Sequence, residues 1–352
     1  MQNDEQNLRD DSMPTAEAEE PPVETLHSNC VISIRGWEND NEAEAREFGE
    51  GVIALAKELS RYLDLSRLES IVIGWDYAEA LTSVDRGDGI PPAAPTANEY
   101  GQGGAMAVHV VRGDEIWSVV VIWTGLVRQL NQMDHPEHKL ALQTFVHELV
   151  HVDDLRLFTR TYPGGWRAAK PMDGRVANLQ PIVNPCQSEY SAQRRAAWAA
   201  PEHGLDLLDM LGEAMKDVDD QIRSARLSYR LHGDMEKYWP VVVERLTFLF
   251  QAIGYGLGHA DWVEAEADEH PELAALYRAK LADLAGYPSG WMIDACRDAV
   301  QPFFELEEWI DQEIYDPLID VVERFLNKNG MYTRAHGDSI YVDMPYTGFH
   351  DL

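Results

Sequence analysis

The sequence predicts an α+β protein with a small mixed β-sheet in its first half and a mainly helical second half. Two β-rich runs, Ala105 to Arg112 and Glu115 to Trp123, are separated by Gly113-Asp114, a two-residue hairpin signal. From Gln187 almost to the end, apolar residues recur at helical spacing. A chain of 352 residues is also long enough for about two compact units.

Three segments are expected along the chain. Residues 1–28 are acidic and nearly free of apolar side chains, so they cannot bury enough surface to offset their ordering entropy, and we expect a disordered tail. Residues 29–200 are expected to form the α/β core. Residues 201–352 are expected to form a mostly helical subdomain.

In the core, the expected elements follow from the apolar pattern. Strands are expected at Cys30 to Ile34 and at Ile71 to Trp75, with a helix from Asn41 to Leu63 between them. The Gly- and Pro-rich residues 85–104 predict a mobile loop. Both faces of the run Glu115 to Trp123 are apolar, so this strand is expected to be covered on both sides or to face a groove.

Later segments are predicted in the same way. Asp134, His135 and Pro136 predict the cap and first turn of a helix that runs to about Phe158. Residues 160–185 contain several Pro and Gly residues and predict a loop. The helical segments that follow are Gln187 to Ala199, Leu205 to His232, Tyr238 to Leu257, Glu272 to Ala285, and Gly290 to Asn327 with a break near Asp316-Pro317, before a last strand at Ser339 to Met344.

The charge and the cysteines limit the class of partner and the compartment. A net charge of −32 repels nucleic acid phosphates and anionic lipid surfaces, so basic or neutral partners are expected. The sequence has no apolar run long enough for a membrane span and no leader at its polar, acidic start, so cytoplasm is the expected location. Three widely spaced cysteines without a CxxC pair predict free thiols.

The stretch Phe145 to Asp154 contains HELVH, an instance of the H-E-x-x-H pattern. At about 100° per residue, His147 and His151 lie one helical turn apart on one face, where both imidazoles can bind a single metal ion. Glu148 lies beside that face, where its carboxylate can take a proton from a metal-activated water.

A catalytic zinc site usually has three protein ligands and one open position. The best candidate for the third ligand is Glu189, because Ala192, Ala196 and Ala200 share its helical face. A smooth alanine ridge lets the backbone approach the HELVH helix closely. The alternatives are Asp154, Glu202 and His203.

HELVH at residues 147–151 and the helical Glu-x-x-Ala at 189–192 together resemble the gluzincin branch of the zinc metallopeptidases. HELVHVDD is similar to the HExxHxxD pattern of processing peptidases of the mitochondrial intermembrane space. The Glu-x-x-Ala helix is also similar to that of cytosolic peptidases that cleave phage-type repressors. The resemblance covers about residues 140–200. It implies a zincin-like fold, Zn²⁺ held by His147, His151 and Glu189, and Glu148 as general base.

Other site residues are predicted less directly. Asp154 could orient a ligand imidazole, whereas Asp153 is expected to be solvated. For the group that stabilises the oxyanion, the candidates are Tyr190, Tyr229, His232, Tyr255 and His259, of which Tyr255 and His259, in a Gly-rich helix end, are the most suggestive. One departure from thermolysin-like enzymes is Gln193, which stands where those enzymes place an Asp.

These features favour a soluble zinc-dependent metallopeptidase that hydrolyses a protein or peptide substrate. In this interpretation the substrate lies extended along an edge strand, for which Glu115 to Trp123 is the candidate. The alternative is a catalytically inactive, zincin-derived binding protein whose helical half docks a partner.

Overall fold

The computed structural model describes residues 22–37, 41–162, 173–305, 309 and 311–346. In this part of the chain the strands are β1 (Val31–Arg35), β2 (Leu68–Gly74), β3 (Ala97–Asn98), β4 (Gly101–Gln102), β5 (Ala105–Arg112), β6 (Glu115–Trp123), β7 (Tyr332–His336) and β8 (Ser339–Asp343). The α-helices are α1 (Glu42–Leu59), α2 (Tyr77–Thr82), α3 (Thr124–Val127), α4 (His138–Thr161), α5 (Gly174–Ala196), α6 (Gly204–His232), α7 (Met235–Ala265), α8 (Pro271–Ala285), α9 (Trp291–Glu305) and α10 (Asp316–Lys328). The predicted α+β class is confirmed.

The main sheet has the strand order β1-β2-β6-β5. The first three strands of this order are parallel, and β5 runs antiparallel to β6 along the edge. Val120 and Ile122 of β6 are buried in the core on one face, and Val119 and Val121 are buried on the other. The prediction that both faces of β6 are covered is confirmed. The choice of β6 as an edge strand was wrong, because β5 takes the edge position.

Helix α4 packs across one face of this sheet. Phe145, Leu149 and Val152 are fully buried there with Ile71 and Ile73 of β2. Residues 134–136 were predicted to cap this helix, but the N-cap is Glu137, whose side chain makes no cap hydrogen bond. This apolar stripe fixes the orientation of α4 on the sheet.

Helices α5 to α10 enclose a second core, in which α5 packs most extensively on α7. The predicted loop at 160–185 is wrong over residues 174–185, which begin α5; residues 163–172 lie outside the described part. Asp173 caps this helix by accepting a hydrogen bond from the Val176 N–H at 2.9 Å. Pro181 and Pro185 stand inside the helix, where a proline lacks an N–H donor. Burial of Val176, Leu179, Ile182 and Val183 in the second core compensates for the lost hydrogen bonds.

One other prediction is corrected in the helical half. Helix α7 was predicted to end at Leu257 but continues to Ala265, so its glycines lie within the helix. A Cβ added at Gly254 would stand 2.5 Å from the Cys186 carbonyl oxygen, and one at Gly258 would stand 2.6 Å from that of Tyr190. These glycines let the backbones of α5 and α7 approach closely.

The chain ends differ in part from the predictions. The predicted last strand corresponds to β8, which pairs antiparallel with β7. Residues 1–21 of the predicted disordered tail lie outside the described part. Residues 22–28 of that tail are ordered, contrary to the prediction. They are attached to the end of α1 and the turn after it, where the Thr25 hydroxyl donates to the carbonyls of Ser60 and Leu63 at 2.7 Å. No helix in the described ranges is long and apolar enough to cross a membrane.

Candidate metal centre

The imidazoles of His147 and His151 face each other one turn apart on α4. Their Nε2 atoms are 3.1 Å apart, and their ring centroids are 4.7 Å apart. His147 is 7% exposed. Because the sheet holds the apolar stripe of α4, both rings point towards α5.

Glu189 on α5 completes a group of three. Its Oε2 atom lies 3.2 Å from Nε2 of His147 and 3.4 Å from Nε2 of His151. One ligand atom from each of the three residues lies within 4.8 Å of the others, so the group could hold a metal ion. Ala192 and Ala196 of α5 are fully buried in the same core as α4 and the sheet, which is the close approach that the alanine ridge predicted.

The other candidates for a third ligand have different surroundings. Asp154 faces Arg195, whose Nη1 donates to Oδ1 at 3.1 Å. His203 lies against His259, with ring centroids 6.2 Å apart. Glu202, in a short 3₁₀ turn, is exposed and is not part of the cavity wall.

The electrostatics of the group fit a cation. Desolvation lowers the pKa of His151, but the carboxylate of Glu189 outweighs it and raises that pKa to about 9. Desolvation likewise raises the pKa of Glu189, and the two imidazoles outweigh it and hold that pKa well below its ordinary value. Besides the two imidazole nitrogens, the buried Oε2 of Glu189 has no partner among the described residues. Two imidazole nitrogens and one carboxylate oxygen are a donor set that zinc accepts.

Glu148 lies in the same cavity but is not in the ligand group. Its side chain is buried, and desolvation raises its pKa despite the opposing effects of His147, His151 and a backbone hydrogen bond from Ala107 of β5. The Oε2 atom has no partner among the described groups. A carboxyl group with a raised pKa is suited to taking up and releasing a proton.

The structure revises the roles of the two aspartates that follow His151. Nδ1 of His151 contacts the hydroxyl of Ser188 at 3.2 Å, whereas Asp154 pairs with Arg195. Asp153 was predicted to be solvated and is instead 4% exposed, paired with Arg195 and Arg156 and accepting a hydrogen bond from the Asp64 N–H at 2.9 Å. It ties α4 to neighbouring elements.

Gln193 does not support a ligand. Its Oε1 accepts a hydrogen bond from Nε2 of Gln143 at 2.8 Å, in a buried pair between α5 and α4. Nδ1 of His147 has no hydrogen-bond partner within the described ranges. Gln193 thus links α5 to α4 and does not contact a ligand imidazole.

Of the two residues favoured as stabilisers of the oxyanion, Tyr255 lines the cavity and His259 does not. The Tyr255 ring lies 6.1 Å from that of His147, and its hydroxyl accepts a hydrogen bond from Nε2 of Gln251 at 2.9 Å. His259 is fully buried, with its Nε2 3.4 Å from the Ala200 carbonyl and its pKa lowered to about 3 by desolvation. A catalytic role for His259 is inconsistent with this position. Tyr190 donates to Asp261 at 2.7 Å, outside the cavity, and neither Tyr229 nor His232 lines it.

The cavity that holds these groups has a volume of about 290 Å³. Edge strand β5 forms one side through Ala105, Ala107 and His109, and Thr96 and Gly103 lie at its rim. Leu155 and Phe158 of α4 also line the cavity, together with Asn184, Trp309 and Tyr315. A binding cleft is thus formed between the sheet and the helical half.

Sequence reasoning missed three residues of this site. Ser188 and Gln251 contact the ligand group, and His109 lines the cavity with its pKa lowered to about 4, mainly by desolvation. A polar residue in an otherwise apolar strand was a signal for His109. Gln251 gave a weaker one, being four residues before Tyr255 and so on the same face of the helix.

Comparison of the chain with protein-family models, with curated proteins and with solved structures gives no match.

Proposed function

We propose that this protein is a zinc-dependent metallopeptidase with a zincin-like core. The observation that carries the proposal is the convergence of His147, His151 and Glu189 on one point, with Glu148 beside them in a cavity bordered by an edge strand. The metal ion is proposed to be zinc because the donor set and the HExxH spacing fit it.

When bound, zinc would lower the pKa of a coordinated water to about 7 and polarise a peptide carbonyl. Glu148 takes a proton from the attacking water and delivers it to the leaving amine, which its raised pKa favours. Tyr255, whose pKa burial raises well above its ordinary value, stays protonated and donates a hydrogen bond to the carbonyl oxygen as negative charge develops there. Ser188 holds the His151 ring through Nδ1.

The substrate is proposed to be a protein or peptide segment that pairs with β5. Within the described ranges β5 pairs on one side, with β6, so its other edge can add a strand through main-chain hydrogen bonds. If the peptide runs antiparallel to β5, its N-terminal side extends towards His109 and its C-terminal side towards Ala105. The net charge of −32 favours basic or neutral segments.

The test uses Glu148→Gln, which keeps the size of the side chain but removes its basicity. The expected result is one chelator-removable zinc per chain in both proteins and a hydrolysis rate at least about 10²-fold lower in the variant. Exposed Glu58→Gln, on α1, serves as the control and should retain full activity. Equal activity of E148Q and the unmutated protein would exclude the proposed mechanism. Bound zinc without hydrolysis would favour the inactive binding protein.

A further inference from the structure

We propose that Gln251 is a positioning residue that holds the carboxylate of Glu189 and the phenol of Tyr255 in their working orientations at the same time. This inference rests on the proposed function, since it assigns Gln251 a task within that site. Gln251 acts through its two neighbours and needs no contact with the substrate.

The geometry places one amide nitrogen between the two groups. Nε2 of Gln251 lies 3.2 Å from Oε1 of Glu189 and 2.9 Å from the hydroxyl of Tyr255. Gln251 and Tyr255 are four residues apart on α7, so they lie on one face of the helix. All three side chains line the cavity.

The chemistry of the partners fixes which end of the amide faces them. A carboxylate that serves as a metal ligand is ionised and can only accept hydrogen bonds, so the atom facing Glu189 must be the amide nitrogen. That nitrogen carries two hydrogens, and one can go to each partner. Both donors of Gln251 are then used within the site.

This arrangement has a consequence for each partner. The hydrogen bond to Oε1 restrains the carboxylate of Glu189 and leaves Oε2 as the atom that faces His147 and His151. Tyr255 accepts from Gln251 through its oxygen, so its own O–H proton can still be donated, and the carboxylate of Glu189 is one acceptor within its reach. Gln251 is also neutral, and so it adds no charge beside two buried carboxylates.

The packing of α5 on α7 supports these distances. Gly254, three residues after Gln251, meets the backbone of Cys186, three residues before Glu189. A Cβ at Gly254 would stand 2.5 Å from the Cys186 carbonyl oxygen, so the two helices are as close here as a glycine permits. Gln251 and Glu189 are held within hydrogen-bonding reach by this contact.

The experiment is a double-mutant cycle on the full-length protein with two readouts. The variants are Gln251→Met, Tyr255→Phe and the combination, measured for zinc affinity by chelator competition and for kcat/KM on a peptide substrate. Gln301→Met is the matched control, because Gln301 donates to the Tyr190 hydroxyl at 3.0 Å beside a carboxylate but does not line the cavity. Gln251→Glu keeps the size of the side chain but removes both amide N–H donors.

We expect Q251M and Q251E to weaken zinc binding about 10-fold, with or without Tyr255. We expect Q251M to lower kcat/KM by about 10- to 100-fold when Tyr255 is present and by much less in the Y255F background, because the phenol is then already lost. Q301M should change neither zinc affinity nor kcat/KM, although its melting temperature should fall.

If Q251M binds zinc as tightly as the unmutated protein, Gln251 does not position the carboxylate of Glu189. If the losses of kcat/KM in Q251M and Y255F are fully additive in the double variant, Gln251 does not position the phenol of Tyr255. An unmutated protein that binds zinc but hydrolyses nothing would refute the proposed function, and the zinc measurements would still decide the role of Gln251 towards Glu189. An unmutated protein that binds no zinc would refute both.

Discussion

Tyr100 stacks on Phe248 of α7, with ring centroids 4.7 Å apart and ring planes 5° from parallel. Its hydroxyl also donates to Asp217 of α6 at 2.8 Å, and the neighbouring Glu99 pairs with Arg245. These contacts fasten the segment 96–104, which carries β3 and β4, to the helical half. Because Thr96 and Gly103 lie at the rim of the cavity, the segment is placed to control entry.

Tyr100→Ala should release this segment. Loss of the stacked ring and the hydrogen bond is expected to speed amide hydrogen exchange over residues 96–104 and to change KM more than kcat. Tyr62→Ala, at a residue that is 77% exposed, is the control and should leave both unchanged. Unaltered exchange and KM in Y100A would argue against gating by this segment.

Zinc binding should release a proton near neutral pH. In the metal-free protein Glu189 raises the pKa of His151 from an ordinary value of 6.5 to about 9, so this pair stabilises the fold below about pH 6.5 and its contribution is lost as pH rises to about 9. A metal ion needs the neutral imidazole, so zinc affinity should increase across the same window. Calorimetric titration at pH 7.5 in buffers of different ionisation enthalpy should detect about one released proton. Binding without proton release would contradict the proposed ion pair.

Asp153→Ala should destabilise the protein strongly. The side chain is 5% exposed, pairs with Arg195 and Arg156 and accepts a hydrogen bond from the Asp64 N–H. The two arginines keep contacts with Asp154 and Asp64, so the removal of Asp153 is expected to cost about 1.5–3 kcal/mol of unfolding free energy. Asp220→Ala is the control, since its pair with Arg223 is 77% and 67% exposed and is expected to contribute at most about 1 kcal/mol. Denaturant titration measures both, and similar values for the two variants would show that burial does not strengthen the Asp153 cluster.

Gly258→Ala should disturb the contact between α5 and α7. The added methyl group would stand 2.6 Å from the Tyr190 carbonyl oxygen and 2.9 Å from the Arg194 nitrogen, so the backbones must separate. We expect a loss of about 1–3 kcal/mol and weaker zinc binding, because Glu189 lies on the displaced helix. Gly256→Ala is the matched control: it meets the end of the Leu208 side chain, which can move, and alanine favours the helix by about 0.5–1 kcal/mol. Equal effects of the two substitutions would refute the packing argument.

Local patterns predicted much of the fold. The strand Glu115 to Trp123, its hairpin partner and the seat of α4 follow from periodicities of 2 and 3.6 residues, which the backbone imposes within one element. Residues 174–185 were mispredicted because prolines normally end helices, and the burial of Val176 and Ile182 overrides that preference. Helix α7 was predicted too short because its glycines resemble a helix end, whereas they serve close packing.

Helical geometry alone places His147 and His151 on one face of a helix with Glu148 beside them, so the motif was enough to predict these three positions. The distant groups that meet them could be identified only from the packing of the folded chain. It brought Glu189, Tyr255 and Gln251 to the cavity and placed His259 outside it, and it paired Asp154 with Arg195. The physical reason is that these contacts depend on how α4, α5 and α7 pack, and that packing is set by buried surfaces and close glycine contacts between segments far apart in the chain.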